Sequence, residues 1–185
     1  MNGLRATRFG RGVMVAAAVV VGAGAIAASS AAVNAADGGR VAWVTLEDVH
    51  GERVGWALFT ERRTGAVQVV VRGHDLTPGA HGIHVHNVGS CASVTGSFSG
   101  AGSHHNPLGA LHGSHAGDLP NLMVDARGRG RLNTTVDRFR LKGIEKSIFD
   151  ADGSALVIHA APDDYVTDPT GNSGPRVACG IITSG

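Results

Sequence analysis

From residue 40 onward, apolar and polar positions alternate in short runs and never settle into a helical spacing. The run Val41-Ala42-Trp43-Val44-Thr45-Leu46 is rich in β-branched and aromatic residues, and Gly51-Glu52 breaks it. Val54, Trp56 and Leu58 share one face of a second run. Arg63-Thr64-Gly65 makes a turn, and Val67, Val69 and Val71 share one face of a third. Further strands are predicted at 82–88, 121–125, 131–136, 155–159 and 177–182, with glycine-bearing breaks between several of them. About eight short strands and no helix predict an all-β sandwich or barrel rather than a parallel α/β sheet. Residues 89–120 and 160–176 do not fit the strand pattern. In a compact domain, connections this long are usually functional or disordered.

The first 35 residues belong to a different pattern. Arg5, Arg8 and Arg11 form a basic start without acids, an apolar run follows from Val13 to about Ala28, and Val33-Asn34-Ala35 offers small residues for cleavage. This is the layout of a secretory signal peptide, leaving one domain over 36–185. An uncleaved anchor competes, because apolar character continues almost to Ala32 and a span needs about 20 residues. Once the signal is cleaved, nothing remains that inserts stably into a membrane. Losing its three arginines takes the formal net charge from +1 to −2. No basic footprint for nucleic acid is left. The chain has two cysteines, Cys91 and Cys179. In an exported chain the even count predicts one disulfide; in the cytosol two free thiols fit as well.

Candidate chemistry comes from histidine. Most of the ten histidines lie between His81 and His115, a density that packing alone rarely produces. Imidazole is the commonest protein ligand for copper and zinc. His84 and His86, two apart on a strand, point to the same side, and His159 at the end of another strand can supply a third donor. His112, His115 and Asp118 follow at i, i+3, i+6 in a glycine-rich segment, a donor set that suits zinc. A fourth ligand for that ion lies just upstream, at His104 or His105. The side chains suit two adjacent ions better than one.

At these residues the chain resembles the copper/zinc superoxide dismutases. The resemblance runs from about Val41 to Ile182 and rests on four motifs: Gly79-Ala80-His81-Gly82-Ile83-His84-Val85-His86, Gly102-Ser103-His104-His105-Asn106-Pro107, His115-Ala116-Gly117-Asp118-Leu119-Pro120, and Gly171-Asn172-Ser173-Gly174-Pro175-Arg176-Val177-Ala178-Cys179-Gly180. It implies an eight-stranded antiparallel Greek-key barrel or sandwich with two long functional loops. His84, His86, His104 and His159 fall on the copper positions. His104, His112, His115 and Asp118 fall on the zinc positions, with the His104 ring shared between the ions. His81 falls on a structural histidine, and His105 stands where an aromatic is common. Asp163 falls where a carboxylate joins one copper histidine to one zinc histidine, and Cys91 and Cys179 fall on the family's internal disulfide. Arg176 falls at the mouth of the copper channel, where a guanidinium draws in a small anion.

The implied activity is conversion of superoxide to dioxygen and hydrogen peroxide by Cu(II)/Cu(I) cycling, with zinc anchoring the bridging histidine. The competing reading is a non-enzymatic exported copper- or zinc-binding protein of the same fold. A zinc hydrolase is disfavoured, because no carboxylate stands as a general base beside an open zinc site. Two departures from the family pattern stand out. Only two residues separate His112 from His115, a tight zinc segment. Residues 160–176 carry Asp163, Asp164 and Asp168 but no lysine, so positive steering beyond Arg176 falls to residues such as Lys142 or Lys146. Export to periplasm, cell surface or medium is expected, and pairing into a homodimer is left open.

Overall fold

The computed structural model describes Met1 and residues 39–95, 97–143 and 145–185; the expected signal segment therefore lies outside the described residues, apart from Met1. Among the described residues no helix is long and apolar enough to cross a membrane.

The alternating runs become strands with one face in the core. β1 (Arg40–Asp48) buries Ala42, Val44 and Leu46, and β3 (Val67–Gly73) buries Val67, Val69 and Val71. Between them β2 (Arg53–Glu61) pairs antiparallel with both. Its facing differs from simple alternation. The register with β1 shifts so that Leu46 opposes Gly55 while Glu47 opposes Arg53, leaving Val54 as the extra residue. This bulge reverses the pleat. Val54 stays in the core, but beyond it Ala57 and Phe59 face inward, while Trp56 and Leu58 are only partly covered.

The remaining strands are β4 (Gly79–His81), β5 (Ile83–His86), β6 (Leu122–Val124), β7 (Gly130–Val136), β8 (Ala155–His159), β9 (Arg176–Ile181) and the short β10 (Thr183–Ser184), which pairs with β1. The only helical element among the described residues is a 3-10 turn at Ser99–Ala101. The sheet order is β4-β6-β7-β3-β2-β1-β9-β8-β5, antiparallel throughout. Non-consecutive neighbours such as β7–β3 and β1–β9 require connections that cross the barrel ends, as a Greek-key sheet does.

The strand expected at 82–88 starts three residues earlier and breaks at Gly82. The Gly82 N–H donates to the Ala161 carbonyl and its own carbonyl accepts from the His159 N–H, both at 2.8 Å. A Cβ at this position would meet Ser173 Oγ at 2.6 Å, so the contact needs glycine. The break lets one stretch of chain serve both ends of the sheet. β4 pairs with β6 and β5 pairs with β8, and the sheet rolls into a nearly closed barrel.

β5 and β8 are buried on both faces. Ile83, Val85, Leu156 and Ile158 join the barrel core with Leu46, Phe59 and Leu122. Each such side chain contributes about 1.5–3 kcal/mol by leaving water. On the other face, Ala155 and Val157 pack with Phe98, Ala101 and Cys179 from the long segment and β9. That second layer covers the outside of the barrel where His84 and His86 emerge.

Candidate metal centre

Main-chain bonds bring the long segment onto the free edge of β5. The Val85 N–H donates to the Gly117 carbonyl at 2.9 Å, the Val85 carbonyl accepts from the His105 N–H at 2.8 Å, and the Asn87 N–H donates to the Ser103 carbonyl at 2.9 Å. The resulting bridges set His86 opposite His104 and His84 opposite Asp118. A Cβ on Gly117 would lie 2.2 Å from the Val85 carbonyl oxygen, so this approach depends on glycine. The Cys91–Cys179 disulfide, with Cα atoms 5.8 Å apart, ties the start of the same segment to β9.

Two groups of donors form beneath this cover. His84, His86, His104 and His159 make the first, and His104, His112, His115 and Asp118 the second; in each, the candidate ligand atoms lie within 4.8 Å of one another, and every member is buried. His104 belongs to both. Its Nδ1 lies 2.9 Å from Asp118 Oδ1, while its Nε2 is buried without a partner. The His84 and His104 rings stack with centroids 3.9 Å apart.

The partners of the other rings decide which nitrogen is free. A carbonyl or carboxylate oxygen can only accept, so the ring nitrogen beside it carries the proton and the opposite nitrogen presents a lone pair. His86 donates from Nδ1 to the Gly102 carbonyl at 3.0 Å, and His159 from Nδ1 to the Gly174 carbonyl at 3.1 Å. Their free Nε2 atoms face each other at 3.5 Å. His84 and His112 donate from Nε2 to the two oxygens of Asp163, each at 2.8 Å. That leaves His84 Nδ1 and His112 Nδ1 buried and unpartnered, as is His115 Nδ1. Buried polar atoms are normally satisfied. Here the orphaned nitrogens belong to two groups, one of four imidazoles and the other of three imidazoles and a carboxylate. Such sets fit copper and zinc respectively.

Electrostatics favour the metal-binding form of His84, His86, His159 and Asp118. Burial lowers the His84 pKa despite the opposing Asp163. Burial and the charges on His104 and Arg176 push His86 well below its usual value. Burial, with His84, His104 and Arg176, takes His159 down to about 3. For Asp163, burial alone would raise the pKa, but hydrogen bonds from His84, His112 and the Tyr165 N–H outweigh it and hold the carboxyl well below the carboxylate range. Asp118 follows the same pattern, with burial outweighed by His104, His115 and His112.

Arg176 begins β9 and is half-buried. It donates from Nη1 to the Phe98 carbonyl at 2.7 Å and from Nη2 to the Gly102 carbonyl, the same oxygen that anchors His86. With Ser97, Ser99, Gly174 and Pro175 it lines an open pocket of about 300 Å³. Larger cavities lie elsewhere on the barrel, and neither they nor this pocket are lined by a donor of either group. Lys142 and Lys146 line other pockets and are absent from this one.

His81 and His105 stand outside both groups. His81 spans two main-chain carbonyls, those of His159 and Thr77, each at 2.7 Å. Two partners carry no site motif in the sequence: Asn121, whose amide brackets the Asp163 backbone at 2.8 and 3.0 Å, and Asp168, noted above only for its charge, which accepts the His112 N–H at 2.7 Å. Asn121 stands one residue beyond the Asp118-Leu119-Pro120 motif, but its role needs the 160–176 loop folded over it.

Known proteins resemble this chain in sequence and fold. The family model for copper/zinc superoxide dismutase matches residues 54–182. The chain is 41% identical over 145 residues to superoxide dismutase [Cu-Zn] 2 of Aquifex aeolicus, covering 74% of this chain and 83% of that protein. It is 40% identical over 147 residues to the superoxide dismutase-like protein YojM of Bacillus subtilis, covering 75% and 74%. A solved double mutant of a SOD-like protein from Bacillus subtilis, with a tyrosine and a proline changed to histidine, superposes with a TM-score of 0.70 at 40% identity, covering 75% of this chain and 95% of that one. The chain belongs to the copper/zinc superoxide dismutase family.

Proposed function

We propose that this protein is an exported superoxide dismutase, with copper at His84, His86, His104 and His159 and zinc at His104, His112, His115 and Asp118. The observation that carries the reading is the single buried ring of His104 with one nitrogen in each donor group. Copper held there supplies one-electron exchange, and zinc supplies a fixed charge without redox chemistry. Two superoxide anions and two protons give one dioxygen and one hydrogen peroxide.

The protein residues do the rest. Arg176 spends one donor on each of two carbonyls, and a guanidinium has five, so the others are free to meet an anion in the pocket. The held guanidinium places that anion beside the Gly102 carbonyl that also anchors His86. Asp118 and its group retain His104 from the Nδ1 side, so the ring can carry a proton on Nε2 and hand it to the departing peroxide without swinging away. Asp163 fixes the rings of His84 and His112 together and sets both tautomers. Signal cleavage after Ala35 and export fit the disulfide, which persists in oxidising compartments.

A metal-binding protein without this activity is the alternative, and the relative named only as superoxide dismutase-like keeps it in play. The test is the mature protein loaded with one copper and one zinc. Superoxide removal well above the metal-free protein supports the enzyme; stoichiometric binding without it leaves the carrier reading. The mass of the exported chain's N-terminus checks the cleavage point.

A further inference from the structure

The segment from His112 to Asp118 supplies three of the four zinc-side donors, and no strand passes through it. Its inner edge is closed by its own carboxylate, because Asp118 Oδ2 accepts the N–H groups of Gly113 at 2.9 Å and His115 at 3.0 Å. Its outer edge is closed by a residue from elsewhere. Arg138, two residues past the end of β7, donates from Nη1 to the Gly113 carbonyl at 3.1 Å and from Nη2 to the Asp118 carbonyl. One planar fork therefore spans carbonyls five residues apart and sets the distance between the two ends of the segment.

Arg138 is half-buried and forms no ion pair among the described residues. Its positive charge opposes a nearby divalent ion, so any help it gives to zinc must come through geometry. The copper-side strand ligands are held differently: His84, His86 and His159 sit on the paired strands β5 and β8, and Arg138 donates to none of them, although His84 stands opposite Asp118.

We propose that Arg138 is a positioning residue for zinc, holding the 112–118 segment at the span that keeps His112 Nδ1, His115 Nδ1 and Asp118 Oδ1 within reach of one ion. The inference rests on the two-metal reading above. It gives the short segment an external brace in place of the ladder bonds that a strand would provide.

The test compares wild type, Arg138→Lys and Arg138→Met in competition titrations against chromophoric zinc and copper chelators, with the melting temperature of each metal-free protein recorded. Arg138→Met is expected to weaken zinc binding about 10–100-fold, the usual effect of losing an outer hydrogen-bond partner, with copper affinity unchanged. Arg138→Lys falls between, since an ammonium lacks the two-pronged fork. Cobalt(II) bound in the zinc position reports the geometry directly, and its visible spectrum is expected to change in Arg138→Met. Equal zinc affinity in wild type and Arg138→Met overturns the assignment. So does equal weakening of both metals together with a lower metal-free melting temperature, which would make Arg138 a general structural residue. If wild type itself binds zinc at no such site, the two-metal reading falls as well; if wild type binds zinc and Arg138→Met binds it equally, only the role of Arg138 is lost.

Discussion

The two donor groups, the one proposed for copper and the one proposed for zinc, are held by different means. On the copper side, His84, His86 and His159 stand on paired strands, and two of the three rings are anchored to main-chain carbonyls. On the zinc side, His112, His115 and Asp118 stand on a segment without a ladder, and what holds them is side chains: Asp118 itself, Asp163, Asp168 and Arg138. A strand fixes a ligand through many cooperative bonds, whereas a segment braced by side chains can be released by losing one of them. The copper half is thus the sturdier frame, and the zinc half depends on single contacts that mutation can test.

The largest effect is expected where the halves meet. His104→Ala removes the shared ring, and kcat/KM for superoxide is expected to fall by about 10²–10⁴, the usual contribution of a positioned acid–base group. Copper should stay bound through the three strand-borne histidines, as electron paramagnetic resonance would show; loss of copper to the same degree would break the comparison. Replacing Cys91 and Cys179 with Ser frees the long segment from β9. Denaturant unfolding should show a loss of about 2–5 kcal/mol, and more of the segment's amides should exchange than those of β5 or β8.

Asp163→Asn probes the one side chain bonded to both halves. Zinc affinity should drop about 10–100-fold. Copper affinity should fall less, because His86 and His159 keep their carbonyl anchors. Arg176→Ala should lower the rate by about 10-fold and flatten its dependence on ionic strength. That lies at the lower end of the range for charge-lined clefts, a range in which superoxide dismutases are themselves a known case. The smallest effect concerns pH. Burial holds the pKa of His84, His86 and His159 below the ordinary 6.5 in the folded chain, so below that value the unfolded state binds protons that the folded state refuses. The contribution of these histidines to the stability of the metal-free protein is therefore full above pH 6.5 and lost as pH falls towards the His159 value of about 3. Thermal melts between pH 7 and 4 would check the slope, which should be shallower in His159→Gln.

Much of the barrel was legible because its period-two runs have one buried face. Val67, Val69 and Val71 point inward as their spacing predicts. The reading strained where tertiary geometry overrides alternation. Val54, Trp56 and Leu58 look like one face in sequence, but the bulge at Val54 turns Trp56 and Leu58 away from the core. Gly82 reads as the start of a strand and is instead the corner that joins the two ends of the sheet. At the site, donor types and local spacings were visible. Which histidines meet across the fold depends on contacts such as His84 with Asp163, separated by 79 positions. Arg138 could not be picked from its neighbours, because its partners are main-chain carbonyls, which leave no mark in a sequence.

Sequence alone determined what could be bound. The number and kind of donors, the small residues that let chain segments approach, and the two cysteines are properties of composition and order. Tertiary structure decided how binding is organised. It chose the free nitrogen of His84, His86, His112 and His159 by placing an acceptor beside the other, and it made His104 common to both groups by laying the long segment along β5. The physical reason is that a ligand's identity is a covalent fact. Its tautomer, direction and distance are set by hydrogen-bond partners that only folding brings within reach.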